Sequence, residues 1–477
     1  MNLLNKEHHP FLAFITFIAI IRLALAPFVG LGVDEAHYVL YAFHLDLSYF
    51  DHPPLVGWIQ YIFISLFGNE EFGSRVAAIM IGFFTSLFLY KLIYDIEQKS
   101  KEAFLAVVAL HASFLFNALF LMLMPDTLLF LLILPLIFTV IKLEKENSLY
   151  QWILLGALLG LAGLSKYTAV LFVIPIVLYF ITKKRYELFY TPKIIPAIVV
   201  AFIIISPVII WNMQNHWSSF LYQSDHVVGE NGMNLKAFLN SIGAQFGAYN
   251  PFLFPVAFYG LYKALTNKNS TLYLSGLFGL VLILFFSYAS LYKTALPHWS
   301  ALFYMLFIPI GSYYILQTSK QKYLKFAITF GLIISAIAYA ELGFKIIPLP
   351  DYQSLHRDIY GWDTVMKKAN GQITDTKKQA LGVTNWTLAS RALYYNKDYN
   401  ASVYLIDDRK DQFDIWEKTS PIGKDLIMIN THFFKKDIAS FMQCDTVIPL
   451  LEFDIVLNKN KVNTIKLTKC KNFQGLR

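Results

Sequence analysis

The chain has 477 residues, of which 56% are hydrophobic, 17% aromatic and only 15% charged, and its mean hydropathy is +0.49. Soluble domains carry roughly a quarter charged residues, so this composition, with 42 Phe and 2 Cys, excludes a soluble globule, a disordered chain and a disulfide-dense scaffold. The formal charge of +8 includes no dense basic tract of the kind that nucleic-acid binders carry, so no nucleic-acid partner is expected.

A bilayer core of ~30 Å takes about 20 apolar residues per helix. That ruler predicts eleven spans, near 11–30, 74–94, 103–123, 127–143, 150–165, 168–182, 194–211, 244–263, 271–290, 299–316 and 325–346. The first carries Arg22 in its middle and lacks a small-residue cleavage site, so it is expected to stay as a membrane anchor. Between the first two spans, PLVGWIQYIFISLF (54–67) is too short to cross and predicts an interfacial helix, and AHYVLYAFHL (36–45) predicts a second. Fifteen Lys and Arg fall in the connections on one side and five on the other, which predicts a cytoplasmic amino terminus and a tail outside the cytoplasm. The tail changes character. With 19 Lys+Arg and 15 Asp+Glu, and strand-like runs at ASVYLI (401–406), DLIMI (425–429) and TVIPLL (446–451), it reads as a small α/β domain. The expected division is a membrane domain over 1–347 and a soluble domain over 348–477. Cys444 and Cys470 both lie in the tail, and two cysteines alone leave their pairing open.

Polar residues gather in the outer connections. The first holds Asp34, Glu35, His37, His44, Asp46, Asp51 and His52 beside the membrane, with no Lys or Arg among them. Ionisable groups near lipid are costly and are commonly retained for function, which singles out Asp34 and Glu35 as the catalytic candidates. Asp51 and His52 precede Pro53 and Pro54, whose fixed backbone would aim both side chains. Asp126 sits in MPDT, Lys166 and Tyr167 in GLSKYTAV (163–170), and Lys293 and His298 in SLYKTALPHW (290–299). His216 and His226 lie in the connection that also carries Asp225 and Glu230. Together with Arg22, the lysines are candidates to clamp a phosphate, against the simpler readings of a snorkelling Lys or a helix-capping Asp. A divalent metal is compatible with these carboxylates and histidines, yet no tight His spacing singles one out, and no organic cofactor is signalled.

Six short motifs carry a resemblance: DEAHY (34–38) with YFDHPPL (49–55), MPDTLLF (124–130), GLSKYTAVL (163–171), SPVIIWNMQNHWSSFLYQ (206–223) and PHWSALFY (297–304). In this order they resemble the bacterial protein-mannosyltransferase-like family of polyprenyl-phosphate-sugar glycosyltransferases, close to the lipid A 4-amino-4-deoxy-L-arabinose and galacturonic acid transferases. GWDTV (361–365), ASRALYY (389–395) and DDRKDQFDIW (407–416) extend the likeness into the tail. The resemblance implies a GT-C fold, a polytopic α-helical membrane protein with juxtamembrane helices in the first outer loop and a periplasmic α/β domain. It implies transfer of one sugar from an undecaprenyl-phosphate donor to lipid A or another envelope glycan at the periplasmic face of the inner membrane. Asp34 would stand at the reaction centre with Glu35 supporting it, and Asp126 would help hold donor or acceptor. In the arabinose transferases a Lys follows the acid of the motif written DHPP here; His52 in that place points to the broader group.

Inversion at an anomeric carbon needs a nucleophile opposite the departing phosphate and a base such as Asp34 to activate a hydroxyl. Phosphate leaves readily, so cations at Lys166, Lys293 and Arg22 suffice to assist it. Two other readings share parts of this pattern. A protein O-mannosyltransferase would use the same fold and donor with a Ser or Thr acceptor. A lipid-linked-sugar transporter or flippase would place its polar residues near the midplane rather than along one face.

Overall fold

The computed structural model describes residues 3–227, 232–350, 353–417 and 419–477. It falls into two compact units, one formed by residues 1–24, 46–56 and 75–337, the other by 25–45, 57–74 and 338–477. Among the described residues, seven helices are long and apolar enough to cross a membrane: Lys6–Phe28, Glu71–Glu97, Pro125–Glu146, Ile194–Gln214, Ser270–Ser290, Pro297–Leu316 and Gln321–Phe344. The expected spans near 150–165 and 168–182 correspond to the shorter apolar helices Leu149–Ser165 and Tyr167–Thr182.

Two expected spans are not continuous. The segment near 103–123 is the helix Ser100–His111 followed by Phe114–Leu119, and the segment near 244–263 is Leu235–Ala248 followed by Phe254–Leu265. A broken helix in apolar surroundings exposes carbonyls that nothing but protein can satisfy. Asn250, fully buried in a left-handed conformation at the second break, donates from Nδ2 to the Ala112 carbonyl of the first break at 3.1 Å and to Ala327 O at 2.9 Å. Asn117 donates to His111 O at 3.0 Å and Ser113 O at 3.1 Å, and its Oδ1 accepts from Arg22 Nη2 at 3.2 Å. Arg22 also lies 3.3 Å from His111 Nδ1, whose other ring nitrogen is 3.0 Å from Ser86 Oγ. Gly331 lets this node close: a Cβ there would meet Ala112 O at 2.0 Å and Asn250 Nδ2 at 2.5 Å.

The second unit is built on a five-stranded sheet. Its strands are β1 (Gln379–Val383), β2 (Val403–Leu405), β3 (Asp425–Thr431), β5 (Thr446–Leu457) and β6 (Asn460–Lys471), in the order β2-β1-β3-β6-β5. β4 (Met442–Gln443) pairs with β7 (Gly475–Leu476) in a separate ribbon. β1 runs parallel to β2 and β3, and β6 runs antiparallel to β3 and β5. Alternation along β3 sends Ile427 and Ile429 to one face and Leu426 and Met428 to the other, so each face has its own apolar cluster. Cys444 and Cys470 form a disulfide that ties the start of β5 to the end of β6.

The larger cluster is completed from the first connection. Helix Val33–Phe43 contributes Ala36, Val39 and Leu40, with Leu31 before it, to the core that holds Leu388, Ala389 and Ala392 of helix Trp386–Tyr395. Gly30 permits the approach, since a Cβ there would lie 1.8 Å from Ile359 O.

Replacing Asn250 with Ala leaves the carbonyls of Ala112 and Ala327 without that donor. Such a loss costs about 1–3 kcal/mol, and a lowered thermal midpoint of the detergent-solubilised chain is the expected result. Asn250→Leu, which restores bulk but no donor, should do no better.

Candidate active site

In the second unit, Asp34 and Glu35 occupy the first turn of helix Val33–Phe43, where carboxylates complement the helix dipole. Glu35 is buried, and its Oε2 accepts from the Gly32 amide at 3.1 Å, closing the helix start. Asp34, its neighbour, is half-buried. One turn later His37 sits inside an aromatic cage of Tyr41, Trp386 and Phe413, with Ser390 Oγ 3.3 Å from its Nδ1. The segment just before the helix is held by Tyr395, whose hydroxyl accepts from Leu31 N at 3.1 Å and donates to Glu71 Oε1 at 2.7 Å. Burial, with the Glu71 charge adding to it, pushes the Tyr395 phenol far above its ordinary range and keeps it a donor. Tyr395 and Glu71 were not among the sequence candidates. The signal available was the repeated aromatic of ASRALYY, which alone says nothing of its partner.

In the first unit, the YFDHPP segment lies on the WNMQNHWSSFLYQ segment. Trp211 Nε1 donates to Asp46 Oδ2 at 3.0 Å, Gln223 Nε2 donates to the Asp51 carbonyl at 2.7 Å, and the Phe50 and Tyr222 rings meet at 4.8 Å. Asp51 and His52 are half-buried above the buried Pro53-Pro54 pair. Tyr167 joins the same platform, with its hydroxyl 2.5 Å from Ser219 Oγ and 3.4 Å from Ser48 Oγ. Two motifs more than 150 residues apart in sequence therefore form one surface.

Asp126 and Lys166 meet directly. Lys166 Nζ lies 2.6 Å from Asp126 Oδ1, and the two side chains are only 11% and 8% exposed. Asp126 stands in the first turn of Pro125–Glu146 and Lys166 caps the end of Leu149–Ser165, so each charge also faces the favourable pole of its own helix. Ser165 Oγ donates to Pro125 O at 2.7 Å and fastens the same junction. Lys166 is thus neither snorkelling nor solvated.

Lys293 is exposed and His298 is half-buried in the turn Pro297–Ser300. That turn is fixed by Gln245, whose Oε1 accepts from Ser300 and Tyr304 at 2.9 and 3.0 Å, and by Tyr249, which donates to Pro297 O at 2.7 Å. Gln245 carries no motif and was invisible in the sequence. Arg22 is buried against His111 and Asn117. Glu230 and the side chains of Asp225 and His226 lie outside the described residues. Among the described residues no three His, Cys, Asp or Glu side chains converge as a metal site would require.

The loop 407–417 of the second unit, with the short helix Gln412–Trp416 inside it, concentrates acids. Burial, reinforced by Asp414, pushes Asp407 up to about 6 and Glu417 up to about 7. Burial likewise raises Asp411 to about 6, although the Phe413 amide bonded to it acts the other way.

The chain is similar to several known proteins. Residues 51–211 match the family model described as Dolichyl-phosphate-mannose-protein mannosyltransferase. Over 388 residues the chain is 24% identical to the lipid A galacturonosyltransferase RgtD of Rhizobium johnstonii, covering 78% of this chain and 79% of that one. ArnT from Cupriavidus metallidurans bound to undecaprenyl phosphate has a similar fold, with a TM-score of 0.68 and 13% identity over 96% of this chain and 97% of that one. Its apo form gives 0.66 and 12%, over 96% and 98%.

Removing either member of the Asp126–Lys166 pair strands a buried charge, a change that costs about 3–5 kcal/mol. Thermal unfolding should show Asp126→Ala and Lys166→Ala each strongly destabilised, and the double variant Asp126→Leu with Lys166→Met less so than either. For the acidic loop, carboxyls raised on folding hold protons that the unfolded chain, with ordinary values near 4, has released. The loop therefore loses stability as the pH rises from about 4 to about 7. Amide exchange over 407–417, corrected for intrinsic rates, should show greater protection at about pH 5 than at about pH 8, and Glu417→Gln should narrow the difference.

Proposed function

We propose that this chain is a member of the protein-mannosyltransferase-like group of GT-C glycosyltransferases and transfers a single sugar from an undecaprenyl-phosphate-linked donor to lipid A at the periplasmic face of a bacterial inner membrane. The observation that carries the reading is the alignment with a lipid A galacturonosyltransferase, which runs through most of the chain. The Cys444–Cys470 disulfide supports a tail outside the cytoplasm, since such bonds persist in oxidising compartments. The basic connections support a cytoplasmic amino terminus.

In this reading Asp34 is the acid at the reaction centre. Its position beside the Glu35-closed helix start gives it a fixed backbone, and Glu35 acts through that backbone as a positioning residue. A hydroxyl acceptor gives its proton to Asp34 while its oxygen attacks the anomeric carbon and the bond to the lipid phosphate breaks, with inversion. A phosphate acceptor arrives already deprotonated, and Asp34 then orients it. Asp51, His52, Tyr167 and His298 contact the sugar or its acceptor, and the cationic groups Lys166, Lys293 and Arg22 offset the charge developing on the departing phosphate. Asp126 orients Lys166 for that role. The family description names a protein acceptor, which keeps transfer to Ser or Thr as the second reading.

One experiment separates these. A deletion strain is complemented with wild type or with Asp34→Asn, and lipid A and secreted proteins are profiled by mass. Loss of one sugar mass from lipid A on deletion, restored by wild type and not by Asp34→Asn, is the expected result. A change confined to secreted proteins would establish the second reading, and full restoration by Asp34→Asn would remove Asp34 from the mechanism.

A further inference from the structure

The face of the sheet that carries Met428 and Cys470 is apolar at one end only. Along β6 the alternation that places Ile465 and Leu467 in the larger core places Thr464, Lys466 and Thr468 on the opposite face, next to Asn430 at the end of β3. These residues, with Lys435 and Lys436, line a cleft of about 650 Å³ within the second unit. The size is that of a small-molecule site. Its lining holds an unusual atom: Asn430 is 6% exposed, its Nδ2 donates to Lys436 O at 2.9 Å, and its Oδ1 is buried without a hydrogen-bond partner among the described residues. A buried amide oxygen with no donor is costly, by about 1–3 kcal/mol, and a ligand hydroxyl would supply one.

We propose that this cleft binds a phosphorylated saccharide. Lys435, Lys436 and Lys466 provide ammonium groups for the phosphate, and Asn430 Oδ1 with the Thr468 hydroxyl meets sugar hydroxyls. The cleft also contains Glu452 and Asp437. Asp437 Oδ1 accepts from the Ala439 amide at 3.2 Å, and Glu452 is the register partner of Lys466 on β5, so both carboxylates serve as further hydroxyl acceptors beside the cations. The same chemistry is borne by a free sugar phosphate and by the head group of a phosphorylated glycolipid. The inference does not depend on the transferase reading, because it concerns binding alone.

Calorimetry on the full chain in phosphatidylcholine nanodiscs, with glucosamine 1-phosphate, glucosamine and inorganic phosphate as separate probes, tests it. Saturable binding of the sugar phosphate, at least about tenfold tighter than either fragment, is expected. Lys466→Glu, an exposed change that leaves the core untouched, should weaken it by about tenfold or more, and Asn430→Leu should remove the advantage over inorganic phosphate. Discs containing lipid A that abolish binding of the free probe identify a lipid-borne occupant, and discs that leave it unchanged identify a free one; both support the site. Equal binding of sugar phosphate and inorganic phosphate, no saturation up to about 10 mM, insensitivity to Lys466→Glu, or equal competition by phosphatidylglycerol discs would overturn it.

Discussion

A helix that breaks inside an apolar slab must find partners for its freed backbone groups, and the membrane unit is arranged around two such breaks meeting at one point. Asn250 answers the carbonyl left open at Ala112, while Asn117 answers those at His111 and Ser113 and is itself held by Arg22. The polar residues of the node bond to one another, which is why an arginine in the first span is compatible with a lipid-facing helix. Gly331 is the steric counterpart, a small residue that allows a third helix to press on the junction.

The same economy appears at Asp126 and Lys166. In sequence each has an ordinary explanation, a helix cap and a snorkelling amine, and each explanation is partly right: Asp126 does begin a helix and Lys166 does end one. What neither position reveals is that the two helix ends abut. A buried pair with its charges at opposing helix poles leaves a cation whose position is fixed by its partner rather than by solvent. Such a cation needs no reorganisation when negative charge develops beside it.

Much of this was legible in the sequence because membrane proteins write their organisation in long runs. Seven spans follow from length and apolarity alone, and the helices at Val33–Phe43 and Leu55–Phe67 from a period and a shortfall in length. The breaks at 112–113 and 249–253 were hidden because Asn and Ser within an apolar run look like tolerated polar guests until their partners are known. In the tail, three strands were readable from dense β-branched runs. β6 was missed because its alternation of Thr and Lys with Ile and Leu averages to a polar segment, and β1 because QALGV has little β-branched content. Motif residues were found by resemblance, whereas Gln245, Tyr395 and Glu71, which fix the segments bearing them, carry no local signature.

Helix Val33–Phe43 finds its packing surface in a helix that begins at Trp386, so its buried face has no partner until most of the chain exists. At ~5–20 residues per second the interval is on the order of tens of seconds. During it, the segment bearing Asp34 and Glu35 must wait, with Leu31, Ala36, Val39 and Leu40 uncovered, beside a bilayer that offers them an alternative resting place. Completion of the tail is therefore a maturation event for the first connection. A truncation or late-folding defect near the carboxyl terminus would reach the opposite end of the sequence before it reached anything in between.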